Sequence, residues 1–231
     1  MGTGKTRIDA ESGLEADADV DAVTETEAEA EAEALVGVLA LQGDFAAHER
    51  ALALAGACAR PVRVPADLAG LRGLVLPGGE STALMRLMAP VGMEEALRRF
   101  HGEGGVLFGT CAGLILLAAK VTGPDQPSLA LLDAVVERNG YGRQIDSFIG
   151  TGRITLPGEE ERDLEMVFIR APRVLAVGPG VRVIGTHSGE PVLLEQDRIL
   201  AATFHPEMSA QPEGGGPIHR RFLAMCEAAG R

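Results

Sequence analysis

Short, wholly apolar runs alternate with amphipathic stretches from residue 35 onward, and this alternation carries the strongest structural signal in the chain. The run at residues 35–41 stops at Gly43 and is expected to form a strand buried on both faces. Asp44 is placed to cap a helix reaching about residue 55, which Gly56 closes. Residues 62–64 and 74–76 read as further short strands, the second breaking at Pro77-Gly78-Gly79. Ser81 is expected to cap a helix through Met88, and residues 94–100 suggest another before a strand at 106–108. Beyond residue 130 the strands become shorter, with candidates at 135–136, 166–169, 181–184, 192–194 and 199–203. An amphipathic helix over 218–228 closes the pattern. The expected class is α/β, an open, mostly parallel sheet with helices on both faces. In such sheets sites gather at the carboxyl ends of strands, where Pro77-Gly78-Gly79 and Cys111 both fall.

The pattern begins only at residue 35. Residues 1–34 hold eleven Asp or Glu against Lys5 and Arg7, and account for most of a net charge of -12 over 231 residues. With so few apolar side chains this tail is expected to be disordered, leaving 35–231 as the folded domain. A translation start near Val36, with the tail a mis-called extension, is a further reading. The remaining chain is nearly neutral, so nothing resembles a basic nucleic-acid footprint. Three cysteines without paired spacing favour neither a disulfide framework nor a zinc site, and fit a reducing cytoplasm. No apolar stretch approaches membrane-spanning length, and no signal peptide is evident.

The candidate chemistry lies at Gly109-Thr110-Cys111-Ala112-Gly113, between the 106–108 strand and an apolar helical run at 114–119. A nucleophile bracketed by glycines at a strand-to-helix turn is lifted out of the sheet edge. Cys111 therefore needs a base and a group to orient that base. Thr203-Phe204-His205-Pro206-Glu207 offers both, since spacing of two in an extended chain puts His205 and Glu207 on one side. The backbone N–H of Ala112 and the Gly78-Gly79 peptide are candidate oxyanion donors. Glu80-Ser81 has simple helix capping as its plainer meaning. Cys58 and Cys226 lack glycine turns and are expected to be small core residues.

Taken together, Leu76-Pro77-Gly78-Gly79-Glu80-Ser81-Thr82, the cysteine elbow and His205-Pro206-Glu207 resemble the class I, triad-type glutamine amidotransferases. Leu41-Gln42-Gly43-Asp44, residues 137–148 (ERNGYGRQIDSF) and Phe168-Ile169-Arg170-Ala171-Pro172 narrow the likeness to glutaminase subunits of pyridoxal 5'-phosphate synthase, over roughly residues 35–228. The resemblance implies a flavodoxin-like fold and hydrolysis of L-glutamine to glutamate and ammonia by Cys111, His205 and Glu207. It implies glutamine binding by Gly79, Glu80, Ser81, Arg138, Ile169 and Arg170, an oxyanion site at Gly78, Gly79 and Ala112, and neither metal nor cofactor. It further implies a barrel synthase partner with a dodecameric core and glutaminases docked around it, making the vitamin from ribose 5-phosphate and glyceraldehyde 3-phosphate. In the family the glutaminase is weak until docked, and Gln42 and the helix near Asp44 lie on the partner's side. The acidic tail has no counterpart in the family core, and residues 156–162 form a variable polar loop. Two other readings stand beside this one. A glutaminase for another amidotransferase, such as that of imidazole ring closure, is opposed by the 144–148 and 168–172 strings. A non-catalytic subunit on the same fold is opposed by the intact Cys111, His205 and Glu207.

Overall fold

The computed structural model describes Met1 and residues 36–138, 140, 147–209 and 216–229. The expected disorder of 1–34, the start of the first strand at Leu35, and the Asn139 and 141–146 portion of the diagnostic string lie outside the described residues.

Among the described residues the first element is β1 (Val36–Leu39), buried at every position as its continuous apolar run requires. Helix α1 (Phe45–Leu54) follows, its first turn capped by the Asp44 carboxylate accepting from Ala47 N at 3.3 Å. Strand β2 (Ala59–Val62) ends two residues before the expected position, because Val64 begins a 3-10 turn instead. Strand β3 (Gly73–Leu76) leads to α2 (Ser81–Met88), α3 (Met93–Gly102) and β4 (Val106–Thr110). The short helix α4 (Ala112–Leu117) then passes directly into β5 (Ala118–Thr122). Strands β6 (Leu132–Glu137), β7 (Ser147–Ile154), β8 (Arg162–Ile169), β9 (Arg173–Val177), β10 (Arg182–His187), β11 (Glu190–Gln196) and β12 (Ile199–Ala202) follow. Helix α5 (Gly216–Ala229) is the last element among the described residues.

Among the described residues nine strands form one sheet in the order β2-β1-β3-β4-β12-β11-β10-β7-β8. The first five run parallel, and from β12 to β8 every pairing is antiparallel. A smaller sheet pairs β5 with β6 in parallel and β6 with β9 antiparallel. The parallel strands separate two cores. Leu74, Leu76 and Leu107 face α2, α3 and α4, whereas Val75, Val106 and Phe108 face α1 and α5. This two-sided burial is why these strands are uniformly apolar rather than alternating.

Three strands escaped the sequence pattern. The apolar run at 114–119 looks helical to its end, yet the helix stops at Leu117 and β5 begins. In β7 the glycines dilute the strand signal, but they are needed: a Cβ at Gly150 would sit 2.6 Å from the His187 ring, and one at Gly152 2.6 Å from the Thr186 carbonyl. Strand β9 is a half-exposed edge, with Leu175 in solvent. Of the two cysteines expected in the core, Cys226 is buried against Gly73, but Cys58 is exposed just before β2, so that expectation fails for Cys58.

Candidate active site

The sheet order puts β3, β4 and β12 side by side and parallel, so their carboxyl ends deliver the Gly78-Gly79 loop, Cys111 and His205 to one edge. Cys111 sits between β4 and α4 with φ 47° and ψ -99°, a conformation that non-glycine residues seldom adopt. Its backbone is held on both sides, Cys111 N donating to Ala202 O at 2.8 Å and Ile115 N donating to Cys111 O at 3.2 Å. The bracketing glycines are steric necessities. A Cβ on Gly109 would lie 2.6 Å from the Gly113 backbone, and one on Gly113 would lie 2.0 Å from the Leu76 carbonyl. The Cys111 thiol donates to the Ile169 carbonyl at 3.8 Å.

His205 follows β12 and is anchored by its own N–H donating to Val167 O at 2.8 Å. Its Nδ1 contacts Glu207 Oε1 at 2.7 Å. The route to this pair differs from the extended spacing anticipated from sequence. Residues Pro206–Met208 form a 3-10 turn, which curls Glu207 back beneath the imidazole. His205 Nε2 is buried and, among the described residues, makes no hydrogen bond of ordinary geometry, while Cys111 is near enough to act on the ring electrostatically. Burial disfavours the imidazolium, but Cys111 and Glu207 outweigh it and raise His205 to about 10. Burial likewise opposes the Glu207 charge, but His48 and His205, both close to its Oε1, prevail and hold the carboxyl far below its usual range.

An open cleft of about 330 Å³ brings together Cys111, His205, Gly78, Gly79, Glu80, Ser81, Arg138, Ile169 and Arg170. Ala112 lies behind Cys111, fully packed, and Glu207 lies behind His205. Gly78 must lack a side chain, because a Cβ there would fall 2.3 Å from His205 Cε1. The Gly78 carbonyl packs on Gly43, whose φ of 96° only glycine holds without strain. Gln42 Oε1 accepts from Glu80 N at 3.1 Å. The expected capping by Ser81 is corrected: Glu80 caps α2, accepting from Thr82 N at 3.2 Å and Ala83 N at 2.7 Å. Ser81 is instead the first helical residue, its hydroxyl donating to Gln126 Oε1 at 2.9 Å. Arg138 Nη2 meets Glu80 Oε1 at 3.1 Å, so the cleft presents a matched pair of opposite charges. Arg170 is exposed at the rim, with φ 43°.

Several lining residues are not assigned to the site by the sequence, among them Ile115, Met208 and Asp44, which reads as a helix cap and motif residue. Nor is His48, buried behind Glu207, which only a polar residue on the apolar face of α1 could have betrayed. Among the described residues no group of three or more His, Cys, Asp or Glu is arranged to hold a metal ion. Among them, too, no helix is long and apolar enough to cross a membrane.

A family model described as the SNO glutamine amidotransferase family matches residues 38–228. A pyridoxal 5'-phosphate synthase subunit PdxT of Deinococcus radiodurans is 48% identical over 196 residues, which is 83% of this chain and 96% of that protein. The subunit of the same name from Koribacter versatilis is 50% identical over 190 residues, covering 82% of this chain and 94% of the relative. A crystal structure described as a glutamine amidotransferase superposes with a TM-score of 0.75 at 43% identity, covering 84% of this chain and 99% of that one.

Proposed function

This chain belongs to the SNO glutamine amidotransferase family, and from that premise we propose that it is the glutaminase subunit of a pyridoxal 5'-phosphate synthase, the enzyme of which its relatives from Deinococcus and Koribacter are named subunits. One observation carries the chemical part of the reading: the glycine-bracketed Cys111 and His205, backed by Glu207, open onto the same cleft.

In the proposed reaction Cys111 passes its thiol proton to His205 and the sulfur attacks the side-chain amide carbon of L-glutamine. The resulting oxyanion is received by backbone N–H groups of Ala112 and of the Gly78-Gly79 loop. His205, oriented by Glu207, gives its proton to the amide nitrogen, the C–N bond breaks, and ammonia leaves a γ-glutamyl thioester. Cys111 and Glu207 favour the protonated ring, which holds that proton in place for the leaving nitrogen. Water, deprotonated by the now neutral His205, then cleaves the thioester to glutamate and the Cys111 thiol. The Glu80–Arg138 pair suits the substrate's head, with Arg138 and Arg170 toward the α-carboxylate and Glu80 toward the α-ammonium. Gly79, Ser81 and Ile169 complete the glutamine pocket.

Ammonia set free in water would be lost to protonation, so the reading includes a synthase subunit that receives it, a barrel with a dodecameric core. It also includes weak glutaminase activity before docking. The working unit is residues 35–231, with 1–34 an acidic appendage. Three free cysteines, Cys58, Cys111 and Cys226, support a reducing cytoplasm. The test is Cys111→Ala assayed with the synthase. Glutamate release should fall roughly 10⁴-fold or more, while cofactor synthesis from added ammonium persists. Continued use of glutamine by the variant would remove Cys111 from the reaction.

A further inference from the structure

Behind the cleft, three elements meet at a fully buried histidine that the proposed reaction does not use. His48 projects from α1 one turn after Asp44, so a single helix face serves the cleft and the layer beneath it. Its Nε2 lies 3.1 Å from Thr110 Oγ1 and 3.4 Å from Glu207 Oε1. Its Nδ1 lies 3.0 Å from Nε2 of His219, itself buried on α5. Thr110 immediately precedes Cys111, and Glu207 holds His205. His48 therefore bridges the residue before the nucleophile and the carboxylate behind the base, tying the ends of β4 and β12 together.

The chemistry of the partners fixes the proton positions. An ionised carboxylate only accepts, so a lone pair on His48 Nε2 would face negative charge at 3.4 Å. Nε2 must carry hydrogen, shared between Thr110 Oγ1 and Glu207 Oε1. In neutral His48, Nδ1 then accepts from His219 Nε2–H. Glu207 needs this support, since His205 and His48 converge on Oε1, while Oε2 is buried without a hydrogen-bond partner among the described residues.

Resting on the glutaminase reading, we propose that His48 is a positioning residue. It holds the Glu207 carboxylate ionised and aimed at His205, and keeps the distance between the two halves of the site. The titratable groups facing it are Glu207 of the 3-10 turn and His219 of α5; β4 contributes the uncharged Thr110 and the Phe108 ring. The alternative is a histidine that only fills the core.

The test compares His48→Leu with His48→Gln in the complex with the synthase. Loss of the donor in His48→Leu should lower kcat roughly tenfold or more, the order seen when a group orienting a ligating side chain from behind is removed, with little change in KM for glutamine. The acid limb of its kcat–pH profile should move to higher pH, because Glu207 keeps its proton longer. The amide of His48→Gln can still donate to Thr110 and Glu207, and should recover most of the lost kcat and the wild-type limb. Equal losses in both variants with an unmoved acid limb, or a fully active His48→Leu, would overturn the proposal. Should His48→Leu fail to fold, ring-¹⁵N NMR of the wild-type chain decides: the Nε2–H form is expected, and a stable Nδ1–H form of His48 contradicts it. The functional reading fails separately, if wild-type complex releases no glutamate or Cys111→Ala releases it normally. The NMR result is indifferent to that failure.

Discussion

At His205, burial pulls one way while Cys111 and Glu207 pull the other, and these two neighbours win. The consequence is a pH dependence of stability with a defined sign. A group raised from 6.5 to about 10 on folding adds stability that is complete below pH 6.5 and is lost as the pH climbs through 10. Thermal melts should therefore fall between about pH 7 and 10 in the wild type, and fall less in His205→Gln. Identical slopes would mean that His205 is not held as an imidazolium. The residues of this site were unevenly legible in the sequence. Cys111 announces itself because only a strained turn needs glycine on both flanks. Glu207 was found for a reason that the structure replaces, since a 3-10 turn rather than extended chain brings it to His205. His48 was not found, because a histidine on an amphipathic helix does not declare partners on β4 and α5. Ser81 misled in the ordinary way, a good capping residue beside a glutamate that does the capping.

Among elements, the elbow depends on how closely α4 lies on β3. The first turn of α4 meets that strand backbone to backbone, with Gly113 against the Leu76 carbonyl. Gly113→Ala places a methyl 2.0 Å from that oxygen, and neither backbone can yield without moving Cys111. Overpacking of this kind costs about 1–3 kcal/mol or more, and in a chain of this size each kcal/mol lowers Tm by about 2–4 °C. Glutaminase activity should fall with it. An unchanged melting temperature in Gly113→Ala would contradict the close packing of α4 on β3. The parallel strands were readable because burial on both faces leaves an unbroken apolar run. Strands β5, β7 and β9 were not, because a helix end, packing glycines and an exposed edge each erase the pattern by which strands are known.

For the whole molecule, the site is a product of topology. Parallel β3, β4 and β12 gather the glycine loop, the cysteine and the histidine at one edge, while the antiparallel half adds Ile169 and Arg170 from the end of β8. The smaller sheet adds Arg138 from the end of β6. None of that adjacency is visible in strand patterns alone; the motifs implied it only through the family resemblance. The molecule also contains its own control, because its three thiols occupy different settings. Cys58 is exposed, Cys226 is buried with its thiol pushed up to about 12 by desolvation, and Cys111 opens on the cleft. A glutamine-shaped diazoketone, incubated with the complex and followed by peptide mass spectrometry, asks which of them reacts. A single adduct on Cys111, suppressed by excess L-glutamine, is the predicted result. An adduct on Cys58 at equal rate, or an unmodified Cys111 in a complex that still releases glutamate, would contradict the account.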